Sequence, residues 1–250
     1  MVHSGKSMKC FLISLLISLT MLSMGEAKND PIRVYLIPGQ GGDSRLFNNL
    51  TLPEGFEARH IRFERPEKGL SMRDYAAQLA TQIDTTGRFI IVGVSLGGML
   101  ATEMSSMVPA EKVIIISSAK GRHELPGRYT FQRKFPIYKL VSPKTAKFGA
   151  KLLQPIVEPD RQKEKDTFKA MLRDKDAIFL RRTIEMIMHW DRTEAPDGII
   201  TVHGDKDHTI PIRNVHYDVL VPGGSHMITL TRGEEVSQIV GKLLVGKERS

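Results

Sequence analysis

Cysteine is nearly missing from this chain of 250 residues: there is one, Cys10, near the N-terminus. A disulfide framework needs pairs and a cysteine-built zinc or iron–sulfur centre needs several thiolates, so both are excluded. Aromatic residues are scarce at 6%, with a single tryptophan. No basic stretch is interleaved with the aromatic platforms that stack single-stranded nucleic acid, and no nucleic-acid partner is expected. Also lacking is an uninterrupted apolar run of about 20 residues, the length that crosses a bilayer as a helix. Internal repeats and low-complexity tracts are absent too. What is present is ordinary globular usage, 41% apolar and 26% charged, with 21 glycines and 13 prolines. That composition excludes disordered, collagen-like and coiled-coil chains. The net charge is +8, which leaves an anionic partner open.

Residues 1–27 read as three zones. Lys6 and Lys9 make a basic start, Phe11 to Met24 (FLISLLISLTMLSM) is apolar, and Gly25-Glu26-Ala27 puts small residues three and one positions before a cleavage site. This is the pattern of a secretory signal peptide cut after Ala27, which places the protein outside the cell or in the periplasm. The alternative is a membrane anchor, but Ser14, Ser18, Thr20 and Ser23 interrupt the run. Cys10 opens the run instead of following it, so it is badly placed for lipid attachment. The mature chain, 28–250, then has no cysteine.

Within it, short β-branched runs recur at 33–38 (RVYLIP), 59–63 (RHIRF), 88–94 (RFIIVGV), 112–117 (KVIIIS), 198–203 (GIITVH) and 215–222 (VHYDVLVP). They have the character of buried parallel strands. Helical patterns separate them. Met72, Tyr75, Leu79 and Ile83 share a helical face behind a capping box formed by Ser71 and Asp74. A second box, Thr231 and Glu234, precedes the stripe Val236, Ile239, Val240, Leu243 and Leu244. The alternation predicts one α/β domain with a mostly parallel sheet of about six strands. The rhythm breaks at about 120–196, where no strand is expected. There Phe148, Leu152 and Ile156, then Phe168 and Leu172, then Leu180, Ile184 and Ile187 keep helical spacing, which predicts a helical cap inserted after the fourth strand. Between Lys120 and Arg182 there are 17 lysines and arginines against 7 acidic residues, so the basic character is concentrated in the cap. Its charges are either a solvated face or a means of selecting acyl substrates that carry negative charge or of peripheral contact with an anionic surface. Trp190 is expected to pack between the cap's last helix and the body.

The run Gly93-Val94-Ser95-Leu96-Gly97-Gly98 follows a strand and opens a helical pattern. It satisfies G-x-S-x-G in the setting that lifts a serine hydroxyl out of a sheet at a helix N-terminus. A serine needs a base, and the base needs an orienting acid. Candidates for both stand at later strand ends: Asp205 and Asp207 in Gly204-Asp205-Lys206-Asp207-His208, and His226 after Gly223-Gly224-Ser225. The order serine, acid, histidine along the chain matches one of the known arrangements. Pro38-Gly39-Gln40-Gly41-Gly42 supplies a loop whose backbone N–H groups can meet a developing oxyanion, with Gln40 and Leu96 as the donor pair. Metal ligation by His203, Asp205, Asp207 and His208 fits no zinc spacing, so no metal and no cofactor are expected.

Taken together, GVSLGG at 93–98, PGQGG at 38–42, HGDKD at 203–207 and GGSH at 223–226 resemble the α/β-hydrolase superfamily, and the chain looks like a capped serine esterase. The resemblance implies that Asp207 is the acid, because the acid turn of such hydrolases reads G-x-x-D. It further implies a Ser95, Asp207, His226 triad acting through an acyl-enzyme on a small-molecule carboxylic ester or thioester. Amide, carbon–carbon bond or perhydrolase chemistry would use the same triad, and a non-catalytic binding protein on the same fold is the remaining alternative. Serine at position 95 disfavours dehalogenase or epoxide hydrolase chemistry, which needs a carboxylate there. The chain enters the strand before PGQGG a few residues after Ala27, which leaves no room for the leading antiparallel strands of larger members.

Overall fold

The computed structural model describes residues 30–136 and 159–246; Phe148, Leu152 and Ile156 of the expected cap, and the expected signal segment, lie outside them. The six strands are β1 (Ile32–Ile37), β2 (Phe56–His60), β3 (Phe89–Val94), β4 (Lys112–Ile116), β5 (Ile199–Gly204) and β6 (Val219–Val221). They form one sheet in the order β2-β1-β3-β4-β5-β6, and every neighbouring pair is parallel. The chain moves outward from β1 to β2, then crosses back to β3 and continues the other way. The reversal opens a crevice at the C-terminal ends of β1 and β3, where open α/β sheets hold their ligands.

Helices cover both faces, which explains why the central strands read as continuous apolar runs. On one face Tyr35, Ile37, Phe89, Ile91, Val113 and Ile115 pack against α1 (Met72–Ala80), α2 (Leu96–Met104) and, from the segment between β4 and β5, α5 (Ala177–His189). On the other, Val34, Leu36, Ile90, Val92, Ile114 and Ile116 meet α4 (Lys165–Asp174), α6 (Ile228–Thr231) and α7 (Gly233–Val245). Among the described residues one more helix, α3 (Gly127–Lys134), also lies between β4 and β5 and buries none of its residues. Among the described residues of that segment there is no strand. Trp190, 2% exposed, donates from Nε1 to Glu103 of α2 at 2.8 Å, so it does pack between the insertion and the body.

Three local expectations are corrected. The second strand begins at Phe56, three residues before the apolar run at 59–63. Pairing with β1 aligns Ile32 with Phe56 and Leu36 with His60, and an edge strand that is half exposed carries too weak an apolar alternation to mark its own start. The last strand spans three residues, Val219–Val221, because Ile212–Asn214 and Val215 are taken up by a 3₁₀ turn and its cap. Ser71 caps α1 as expected, its Oγ accepting from Asp74 N at 3.1 Å, while the Asp74 carboxylate takes its bond from the Ser71 hydroxyl at 2.7 Å and not from the backbone N–H that a capping box uses. Thr231 forms none: it ends α6, and its hydroxyl donates to Met227 O at 3.2 Å, while Arg232 precedes α7 without a side-chain cap.

Candidate active site

At the crevice, β3 turns into α2 through Ser95, whose backbone lies at φ 54°, ψ −119°. A non-glycine residue rarely adopts this conformation, and neighbours must hold it there. They do so through both backbone groups. Ser95 N donates to Ile116 O at 3.0 Å, and Ser95 O accepts from Gly98 N at 2.9 Å, Met99 N at 3.1 Å and Ser118 Oγ at 2.6 Å. The glycines around Ser95 are required by close approach. A Cβ on Gly97 would stand 2.2 Å from Ile37 O, and one on Gly93 would stand 2.3 Å from Gly97 O. The result is a serine carried at the head of α2, where the first helical N–H groups have no intrahelical acceptor.

The loops after β5 and β6 bring the other groups to Ser95. His226 Nε2 is 2.9 Å from Ser95 Oγ, and His226 Nδ1 is 2.7 Å from Asp207 Oδ2. The carboxylate fixes the tautomer: Nδ1 carries the proton and donates it, which leaves the Nε2 lone pair for the serine hydroxyl. The other carboxylate oxygen, Oδ1, accepts from Thr209 N and Ile210 N, both at 2.8 Å. Burial works to raise the Asp207 carboxyl, but His226, His203 and the Ile210 N–H outweigh it and hold the group below the ordinary carboxylate range. Asp205 is directed elsewhere. It is exposed and accepts from Gly223 N at 2.6 Å, tying the β5 loop to the β6 loop.

Gln40 lies in the loop after β1. A Cβ on its neighbour Gly39 would be 3.3 Å from Ser95 Cβ, so this loop runs directly against the serine. The Gln40 side chain has a task that was not apparent from sequence. Its Nε2 donates to Thr183 Oγ1 at 2.8 Å and to Leu180 O at 3.1 Å, fastening the loop to α5. From α3, Arg128 donates to Thr209 O beside Asp207. The insertion thus holds both the glycine loop and the acid loop. His203, weighed from the sequence only as a metal ligand, is wholly buried, with Nε2 2.8 Å from Ile210 O and 3.4 Å from Asp207 Oδ2. Its place four residues before Asp207, at the end of an inward-facing strand, was the available signal. His208, unlike His203, is exposed.

A parallel sheet that presents a strained serine at its switch point, with a carboxylate and an imidazole delivered by the ends of the next strands, defines the α/β-hydrolase class. The chain belongs to the alpha/beta hydrolase family, whose model matches residues 27–239. Among solved structures it is similar to a thermophilic esterase from Thermogutta terrifontis, at 15% identity and TM-score 0.66 over 85% of this chain and 89% of that one. An enol-lactonase from Burkholderia xenovorans LB400 is similar at 15% identity and TM-score 0.65, over 89% of this chain and 94% of that one. A hydrolase from Pseudomonas aeruginosa PA01 gives 15% identity and TM-score 0.66, over 87% and 91%. At such identities the likeness speaks for the fold. No curated protein matches the sequence.

Proposed function

We propose that the protein is a serine hydrolase that cleaves a carboxylic ester or thioester through an acyl-enzyme on Ser95. One observation carries this reading: hydroxyl, imidazole and carboxylate stand in series at 2.9 Å and 2.7 Å on a strained elbow. Its support from relatives is the family itself and the esterase and enol-lactonase among the similar folds, a lactone being an ester closed into a ring.

In this mechanism His226 Nε2 takes the Ser95 proton as Oγ attacks the acyl carbon, and Asp207 stabilises the imidazolium that forms. The N–H groups of Leu96 and Gln40 receive the oxyanion, where fixed donors cost no reorganisation during the reaction. His226 then gives its proton to the leaving alcohol or thiol, activates a water in the second half-reaction, and the acid leaves. This chemistry requires no cofactor. Ser95→Ala should fold as the parent does, because alanine meets the same backbone constraint as serine. It should lose roughly 10⁴- to 10⁶-fold in ester turnover, as removal of a triad member does. A fluorophosphonate probe should label the parent chain and leave the variant unmodified. Turnover near the parent level in Ser95→Ala would sink the proposal, and an unlabelled parent would favour a binding protein on the hydrolase fold.

A further inference from the structure

The strand end that delivers Asp207 also carries a second imidazole. His203 is fully buried in β5. Its Nε2 lies 2.8 Å from the Ile210 carbonyl, which can only accept, so Nε2 bears the proton. Its Nδ1 is buried with no hydrogen-bond partner among the described residues. A cationic His203 would place an unsatisfied N–H there, so the ring is held neutral with a single, fixed N–H dipole. That dipole's second neighbour is Asp207 Oδ2, 3.4 Å away, the same oxygen that accepts from His226 at 2.7 Å. The contact is too long for a full hydrogen bond, yet with both side chains out of water it is poorly screened.

We propose that His203 is a positioning residue for the acid. Its N–H clamps the Ile210 carbonyl, which closes the 207–210 turn around Asp207, and draws negative charge on Oδ2 away from His226. The proposal rests on the serine hydrolase reading and adds a member that acts on the base through the acid. The titratable and charged groups that act on His203 are Asp207, His226 and Glu124. Glu124 is occupied: its two oxygens accept from Lys120 N at 2.7 Å and His216 N at 3.1 Å. Asp207 and His226 are therefore the pair through which a change at His203 is read. Burial holds His203 below the ordinary histidine range against the opposing charge of Asp207.

The sign of the effect follows. Without the His203 dipole, Asp207 Oδ2 keeps its full charge for the His226 cation, His226 retains its proton to higher pH, and Ser95 is activated later. The test is the rate of labelling by a fluorophosphonate as a function of pH, in the parent and in His203→Gln, His203→Asn and His203→Leu, each checked for folding by its thermal transition. Glutamine can place an amide N–H where Nε2 stands, asparagine is too short to do so, and leucine has no donor. The pH of half-maximal rate should rise by about half a unit in the asparagine and leucine variants and stay at the parent value in the glutamine variant. If leucine prevents folding, asparagine carries the same expectation. Unmoved midpoints in all three folded variants, with plateau rates lowered alike, would overturn the proposal and leave His203 a packing residue. A parent chain that is not labelled at any pH would instead overturn the hydrolase reading beneath it.

Discussion

Two aspartates two positions apart, Asp205 and Asp207, have opposite fates because of where the turn after β5 directs them. Asp207 is buried, with Oδ2 on His226 and Oδ1 on two backbone N–H groups; Asp205 is exposed and accepts from Gly223 N. An asparagine at 207 keeps the shape but can present an N–H to Nδ1, which favours the wrong imidazole tautomer. Asp207→Asn should therefore lower ester turnover by about 10⁴-fold, whereas Asp205→Asn should stay within about tenfold of the parent. Steady-state kinetics of the two variants decides, and the reverse ranking would reassign the acid. Residues of this kind were legible where a role needs a particular chemical group at a strand end: Ser95, Asp207 and His226 all meet, and the loop that carries Gln40 runs against Ser95 through Gly39. Less legible was anything that acts by contact. The side-chain bonds from Gln40 to Leu180 and Thr183 span 140 and 143 positions, and no local pattern encodes them. His203 is of the same type, since its proposed role rests on an acceptor seven residues on and on a second nitrogen with no partner among the described residues.

At the level of elements, the site depends on how closely β1, β3 and α2 approach. Gly97 is the point of closest passage, with a Cβ there only 2.2 Å from Ile37 O. Gly198, before β5, is a useful contrast: it sits at φ +76° with open space around its Cβ position. Alanine at 97 must push backbone apart and should cost about 3 kcal/mol or more, whereas alanine at 198 pays only the left-handed strain of about 1–2 kcal/mol. Urea unfolding of both variants measures this, and a larger loss at 198 would show that dihedral freedom, not close packing, selected these glycines. The end of α5 is secured differently. Glu103, almost fully buried, accepts from Trp190 Nε1 at 2.8 Å and from Arg192 at 2.7 Å and 2.9 Å. Burial raises its carboxyl, but Arg192 and Trp190 outweigh this and hold it below its ordinary range. Asp174, which ends α4, and Asp176, the N-cap of α5, pair with Arg45 and Arg65 of the body. Elements with a two-sided apolar environment, β3 and β4 above all, were readable from composition. The edge strand β2 and the α6–α7 junction were not, because pairing with β1 and the hydroxyl bond from Thr231 to Met227 decide them, and neither leaves a periodic trace.

For the whole molecule, the buried ionisable groups set how stability responds to acid. Burial holds His203 below the ordinary histidine value, with Asp207 opposing, and burial likewise lowers His60, whose exposure screens its share. In the unfolded chain both titrate near the ordinary value of 6.5. Below that pH the unfolded state binds more protons than the folded state, so stability rises with pH through this window and is lost as pH falls through it. A second group behaves as carboxylates do. Asp43, Glu103, Asp176 and Asp207 are all lowered in the folded state, and their contribution is present above the unfolded values of 3.8 to 4.5 and lost as pH falls below them. Two stages follow. The thermal midpoint should be level above about pH 7.5, decline gently between about pH 7 and 5 as histidines of the unfolded chain take up protons, and fall steeply below about pH 4. His203→Gln removes one titrating histidine while keeping an amide for the Ile210 carbonyl, so it should flatten the first stage and leave the second unchanged. Melting curves across this range, followed by circular dichroism, make the comparison. If the glutamine variant loses as much between pH 7 and 5 as the parent, the neutral buried histidine is not what couples this protein's stability to mild acid.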